Sequence, residues 1–151
     1  MRRKDKEITD RKEIEAVIEN SMVCRLAMAD EAGPYLVPLC FGFKDNTLYF
    51  HSAADGRKLG ILRKNPRVCF ELDGDTAVRT GKKACDFSMR YKSVIGFGTT
   101  VFIETEAARR EALDIIMRHY APGSFDYPAA TLERIAVFKV EIDTMTGKAS
   151  N

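Results

Sequence analysis

The chain has 151 residues, 45% of them hydrophobic and 30% charged, which is enough for one domain spanning 1–151 and leaves no room for a second catalytic domain. A formal net charge of +2 is too small to recruit nucleic acid or a membrane surface by bulk electrostatics. No apolar stretch approaches the roughly 18 residues that cross a bilayer, and no apolar signal core follows the basic start, so a cytoplasmic protein is expected.

Six of the first twelve residues are basic (Arg2, Arg3, Lys4, Lys6, Arg11 and Lys12), but acids are interleaved, as in a solvated, frayed terminus. Asp10 then reads as a helix N-cap with Glu13 as its reciprocal partner, and Ile14, Val17 and Ile18 share one helical face up to Ser21. Residues 22–29 and 35–43 read as strands joined through Asp30-Glu31-Ala32-Gly33-Pro34, a hairpin. In the second of these, Tyr35, Val37, Leu39, Phe41 and Phe43 share a face that buries readily. Pro38, Cys40 and Gly42 share the other, which suits an edge strand or close approach by a ligand.

Asp45-Asn46 turns the chain into a third strand over 47–52, and a helix over 57–64 ends at Asn65-Pro66. A fourth strand covers 67–72, and the polar, Gly-containing stretch 73–86 reads as a loop or irregular hairpin. Residues 93–104 form the longest strand, with Ile95, Phe97, Val101 and Ile103 on one face and Gly96 and Gly98 opposite, as if a backbone or a bound ring approached there. Thr105 caps a helix with Leu113, Ile116, Met117 and Tyr120 on its apolar face, ending near Ala121-Pro122-Gly123. A half-buried strand over 135–142 follows. Six strands with short helices between them suit a mainly β, antiparallel closed or split barrel rather than a parallel sheet.

Cys24, Cys40, Cys69 and Cys85 are widely spaced, and only His51 and His119 are available beside them, so no metal site is expected. Cys24, Cys40 and Cys69 sit in apolar runs and read as core.

Chemistry concentrates in His51-Ser52-Ala53-Ala54-Asp55-Gly56-Arg57-Lys58, a strand end, a loop of small residues and a basic helix start. A helix N-terminus with adjacent Arg and Lys attracts phosphate, although Arg57 and Lys58 fit a solvated helix start equally well. His51 could donate a proton near a redox centre or be a half-buried strand histidine with a satisfied hydrogen bond. The run Arg90-Tyr91-Lys92-Ser93 leading into Gly96-Phe97-Gly98 could present donors to a ring or phosphate, or be an ordinary charged strand entry.

Tyr49-Phe50-His51-Ser52-Ala53, Gly56-Arg57-Lys58-Leu59 and Asn65-Pro66-Arg67-Val68-Cys69-Phe70 together resemble the flavin-binding split barrels related to pyridoxamine 5'-phosphate oxidase. Val37-Pro38-Leu39, the run from Tyr91 to Gly98, and Thr146-Gly147-Lys148 are similar to the nitroimidazole-resistance group among them. The resemblance runs through nearly the whole chain. It implies a six-stranded antiparallel split β-barrel whose homodimer holds flavin mononucleotide (FMN) in two grooves between subunits. By the same resemblance Arg57 and Lys58 bind the phosphate, and His51, Ser52 and Ala53 line the isoalloxazine ring. Val37, Pro38, Leu39 and Cys40 run along that ring, and Tyr91, Lys92 and Ser93 add contacts from either subunit.

The chain is shorter than true pyridoxamine phosphate oxidases, whose carboxy-terminal portion binds substrate, so that specific activity is not expected. The expected reaction is reduction of a small aromatic or nitro compound. In it His51 is the candidate catalytic group, and NAD(P)H or another donor visits the flavin transiently, because the sequence carries no dinucleotide fingerprint. The alternative is a non-enzymatic flavin, deazaflavin or haem-binding module on the same barrel, with His51 or His119 as an axial ligand.

Overall fold

In the computed structural model, which describes residues 3–150, the chain builds one antiparallel sheet in the strand order β3-β2-β6-β7-β8-β5-β4. Arg2, part of the basic amino-terminal run, lies outside the described residues. The strands are β2 (Cys24–Asp30), β3 (Gly33–Leu39), β4 (Gly42–Lys44), β5 (Thr47–Ala53), β6 (Arg67–Arg79), β7 (Ser88–Phe102) and β8 (Ile135–Ser150). A two-residue strand, β1 (Glu7–Ile8), adds to the end of β8.

β3 and β4 occupy the two outer edges of the sheet, yet only Cys40 and Phe41 separate them in the chain. The sheet must therefore curl until its edges meet, which makes it a barrel. No ladder joins β3 to β4, and the barrel is split there. The six strands expected from sequence are these, with β3 and β4 as the two halves of one strand bent at Cys40-Phe41, and β1 is the addition. Asp45 and Asn46, with φ of 50° and 58°, form the tight reversal between β4 and β5, both in the left-handed conformation that a two-residue hairpin favours.

The core is aromatic and aliphatic: Phe41, Phe50, Phe70 and Phe138 are fully buried, with Phe50 and Phe138 stacked at 5.3 Å between ring centroids. Helix α1 (Arg11–Asn20) closes the barrel against β6 and β7 through Ile14, Val17 and Ile18. Asp10 does cap it, accepting from the Lys12 amide at 3.0 Å, but Glu13 turns away and pairs with Lys92 at 2.9 Å. Helix α2 (Arg57–Lys64) packs Leu59, Ile61 and Leu62 inward. Helix α3 (Glu106–Tyr120), capped by Thr105, lies on the outer face of β4 and β5, where Ala112, Leu113 and Ile116 join Val137 in a second cluster. A short helix, α4 (Ala129–Glu133), was not expected and contributes Leu132 to that cluster.

Several expectations need correction. The described part of the amino-terminal run packs on the barrel: Lys4–Lys6 forms a 3-10 turn, Lys6 donates to the Ser150 hydroxyl at 2.7 Å, and Ile8 is buried. For stretch 73–86 the irregular hairpin is the reading that holds, because β6 continues through a bulge at Gly74/Ala77 and pairs with β7 as far as Arg79↔Ser88. The last strand runs past 142 to Ser150, paired with β7 throughout. Cys24 is buried as expected and Cys69 half-buried, but Cys40 stands exposed at the joint between β3 and β4.

Packing decides between the two readings of the glycine face of β7. Its glycines point inward: a Cβ on Gly96 would lie 2.2 Å from the Phe70 ring, and one on Gly98 2.4 Å from the Glu141 carbonyl oxygen. They serve close approach of backbone and core, the first of the two readings of that face, and not a bound ring. Ile95, Phe97 and Val101, on the opposite face, point out to solvent. Gly42 likewise faces the backbone of α3 rather than a ligand.

Gly96→Ala should destabilise the barrel by ~1–3 kcal/mol, the usual range for overpacking a tight core. Combined with Phe70→Leu it should cost less than the two changes summed, and urea unfolding of the four proteins measures this. Additive costs would mean that the Phe70 ring is not what excludes a side chain at Gly96.

Candidate phosphate and ring site

β5 positions the site by simple alternation. Leu48 and Phe50 point into the core, so Tyr49, His51 and Ala53 point outward. Ser52, on the inward side at the barrel mouth, is half-buried and donates to the Ala53 carbonyl at 3.0 Å. The chain then turns through Ala54 and Asp55 to Gly56, whose φ of +123° favours glycine.

Gly56 is the N-cap of α2 and offers no side chain to its amides, and the first turn holds no acidic residue. The free N–H groups and the positive end of the helix dipole therefore face the loop uncompensated. Two cations sit on the same turn. The Arg57 guanidinium lies 4.5 Å over the Tyr35 ring and 4.0 Å from Asp30, so the β2–β3 hairpin holds it while it stays exposed. Lys58 is half-buried, and burial lowers its pKa below the usual 10.5. His51 is exposed at the strand end. Its pKa lies below 6.5, first because the surrounding protein desolvates it and second because the Lys58 ammonium disfavours a second positive charge.

The other predicted ring contacts divide. Val37 and Leu39 are half-buried against the core, so only their backbone faces the outside, whereas Pro38 and Cys40 are exposed on the outer face of β3. β3 is an edge strand, as Pro38 requires. Tyr120 and His119 fix its far end. The Tyr120 hydroxyl accepts from the Phe41 amide and donates to the Met22 carbonyl, both at 3.0 Å, and burial pushes its pKa up to about 12. The His119 ring packs 4.3 Å from that of Phe41, with Nε2 2.7 Å from the Ser21 carbonyl oxygen. His119 is thus committed to the barrel joint, which corrects its candidacy as a ligand to an iron centre.

Tyr91, Lys92 and Ser93 are not near His51 within one chain. They pair with Ser150, Ala149 and Lys148 at one end of β8, whereas His51, Ser52 and Ala53 pair with Val137, Ala136 and Ile135 at the other. Phe102 marks that second end on β7, and nine residues of strand separate it from Ser93, about 30 Å. Lys92 is engaged with Glu13, and Lys148 sits 5.5 Å over the Tyr91 ring.

Sequence reasoning missed the outward seam of β7, where Ile95 is 46% and Phe97 50% exposed. It also missed Tyr35 as the platform for Arg57. The paired glycines opposite Ile95 and Phe97 were the available signal, since a face carrying only glycine can approach a crowded core more closely than one carrying phenylalanine.

A model of the pyridoxamine 5'-phosphate oxidase family matches residues 10–149. A crystal structure described as a 5-nitroimidazole antibiotic resistance protein from Bacteroides thetaiotaomicron is 38% identical, with a TM-score of 0.86 over 95% of this chain and 86% of that one. An FAD and haem binding protein from Mycobacterium smegmatis shares the fold at 21% identity, with a TM-score of 0.87 over 97% of this chain and 74% of that one. An uncharacterized protein from Rhizobium meliloti is 31% identical over 65 residues, 43% of this chain, and the match spans less than half of that protein, 42% of its length.

Replacing Lys58 by Met should raise the His51 pKa toward 6.5 without reaching it, because desolvation, the larger cause, remains. An NMR titration of the imidazole C–H resonances measures the shift. An unchanged midpoint would mean that the two side chains are not electrostatically coupled.

Proposed function

The chain belongs to the pyridoxamine 5'-phosphate oxidase family, and on that premise we propose that it is a homodimeric, FMN-dependent oxidoreductase that reduces a small aromatic or nitro compound. The observation that carries this reading is the uncapped, acid-free start of α2 behind Gly56, with Arg57 and Lys58 on its first turn and the outer face of β5 beside it. A phosphate placed there takes the N–H donors that no side chain satisfies and meets two cations. The residues present fit the phosphate end of the cofactor.

The isoalloxazine end would lie along His51, Ser52 and Ala53 and against the backbone and small outer side chains of Val37, Pro38, Leu39 and Cys40. When bound, the flavin supplies hydride and electron transfer that side chains cannot perform. The chain's own groups bind and orient. Arg57 forms the fork to the phosphate, and Lys58 adds a point charge that burial keeps less solvated than a surface lysine. His51, held mostly neutral at pH 7 by its lowered pKa, accepts or relays a proton at the groove wall. NAD(P)H or another donor visits the open groove, since residues 1–151 carry no dinucleotide fingerprint of their own.

The separation of the two predicted contact groups supports a homodimer. Tyr91, Lys92 and Ser93 reach a flavin beside His51 only from a second copy, and the exposed Ile95, Phe97 and Val101 give that copy an apolar face to cover. The haem-binding alternative narrows to His51, because His119 is already committed.

The absorbance spectrum of the purified protein, before and after incubation with FMN and removal of excess, tests the reading together with mass spectrometry of the released ligand. Retained FMN is expected. Arg57→Ala with Lys58→Ala should weaken binding by roughly a hundredfold or more, given ~1.5–3 kcal/mol for each charged hydrogen bond, while the far-UV dichroism stays unchanged. A haem or deazaflavin signature, or unchanged affinity in the double variant, would overturn the assignment.

A further inference from the structure

Beyond the barrel, β6 and β7 continue as a two-stranded ribbon over 75–90 with no third strand beside it among the described residues. β2 leaves β6 at Glu71, and β8 reaches only Tyr91 on β7. Such a ribbon is marginal in water unless it packs on something. This one is nevertheless built with care. A bulge at Gly74/Ala77, with Asp75 at φ 52°, swings it off the sheet, and Arg90 pairs with Asp75 at 2.9 Å. At its tip the Asp86 carboxylate accepts from the Lys83 amide at 3.1 Å.

Its apolar residues lie on one face. Val78 and Met89 are directly opposed in register, and Phe87, extended just ahead of β7, shares the parity of Met89. They are 62%, 45% and 52% exposed, respectively. The irregularities flanking β7 fall on β6 and β8, so β7 itself alternates unbroken, and Met89 stands on the same face as Ile95, Phe97 and Val101. Arm and barrel thus present their exposed apolar residues along one face of β7, interrupted by Ser93 and Thr99.

The seam is symmetric in sequence. Met89 and Val101 each lie six residues from Ile95, and Phe87 and Ile103 each lie eight. A two-fold axis at Ile95 therefore lays Met89 of one copy on Val101 of the other and carries Phe87 to Ile103. At Ile103 the surface opens into a cleft of about 320 Å³ between the start of α3 and the outer face of β5 and β8. Tyr49, Ala108 and Ala112 line it, and Glu104 and Glu111 are also on its wall. The arm's tip carries Lys82 and Lys83, both exposed. The cleft wall thus suits an apolar side chain and offers Glu104 to the arm's lysines, while Glu111 already meets Lys44 at 3.4 Å and Lys139 also lines the cleft.

From this, and resting on the dimeric reading above, we infer that the ribbon 75–90 is an exchanged arm. It seats Phe87 in the Tyr49–Ile103 cleft of a second copy and brings Lys82 and Lys83 beside Glu104 and Glu111. Tyr49 is two residues before His51 on the same face of β5, about 7 Å along the strand. The docked arm therefore becomes a wall of the partner's groove, and the size of acceptor admitted depends on residues of the other subunit.

The test uses the full chain with a photo-crosslinking benzoylphenylalanine in place of Phe87, alongside sedimentation equilibrium of Phe87→Ser, Lys82→Glu/Lys83→Glu, and the latter combined with Glu104→Lys. All these positions are exposed or half-buried outside the barrel core, so thermal unfolding of the barrel serves as the control for folding. The expected results are a cross-link of dimer mass that maps to residues 102–112 and a dimer dissociation constant raised roughly thirtyfold or more by Phe87→Ser, as for an aromatic anchor. Weakening by the lysine reversals should be partly restored by Glu104→Lys. A dimer with unchanged dissociation constant, or with cross-links only elsewhere or within one chain, overturns the arm and leaves the dimeric flavin site standing. A monomeric wild-type protein overturns both.

Discussion

Everything in this molecule hangs on the joint at Cys40-Phe41. One strand serves both edges of the sheet, and the two residues between its halves force the edges together. That bend is held by buried bonds rather than by sequence alone. Phe41 is fully buried, its amide is tied to the Tyr120 hydroxyl, and its ring packs on His119. The last turn of α3 is therefore a clamp on the barrel seam. Because α3 also covers the outer face of β4 and β5, the clamp decides how much of that face remains open, and what remains open is the strip from His51 to Ala53.

Legibility from sequence followed the physical source of each signal. The helix over Arg57–Lys64 was readable to the residue because punctuation sits at both ends: a positive-φ glycine before it and Asn65-Pro66 after it. The ends of β6 and β8 were not: 75–79 of β6 is exposed with no core behind it, the end of β8 offers only Met145 and Ala149 as apolar contacts, and pairing with β7 is what keeps both extended. In β7 the period of two was plain, but periodicity groups residues without saying which group is inside. Phe70 needs the space that only Gly96 leaves, and that contact joins residues far apart in the chain.

The site shows the same division. The basic helix start and the strand end before it are neighbours in sequence, and their proximity could be read directly. The grouping of Tyr91, Lys92 and Ser93 with them could not, because in one chain those residues lie at the opposite end of the sheet. Cys40 misled for a related reason: its apolar neighbours alternate inward, and it occupies the one outward position at the bend. Val37 and Leu39 were correctly placed on the strand, yet their side chains serve the core and leave only backbone for the groove.

The position of β8 in the sheet has a kinetic consequence. It is the last strand in the chain, yet it lies between β7 and β5 and also receives β1, with Glu7 opposite Lys148. During synthesis β2, β3, β6 and β7 can assemble into one half-sheet and β4 and β5 into a hairpin, but no strand bridges β7 to β5 until residues 135–150 emerge. Pairings this distant in sequence make for slow folding, and each half meanwhile shows an unpaired edge. Truncation within β8 would leave open-edged halves prone to aggregate rather than a smaller barrel.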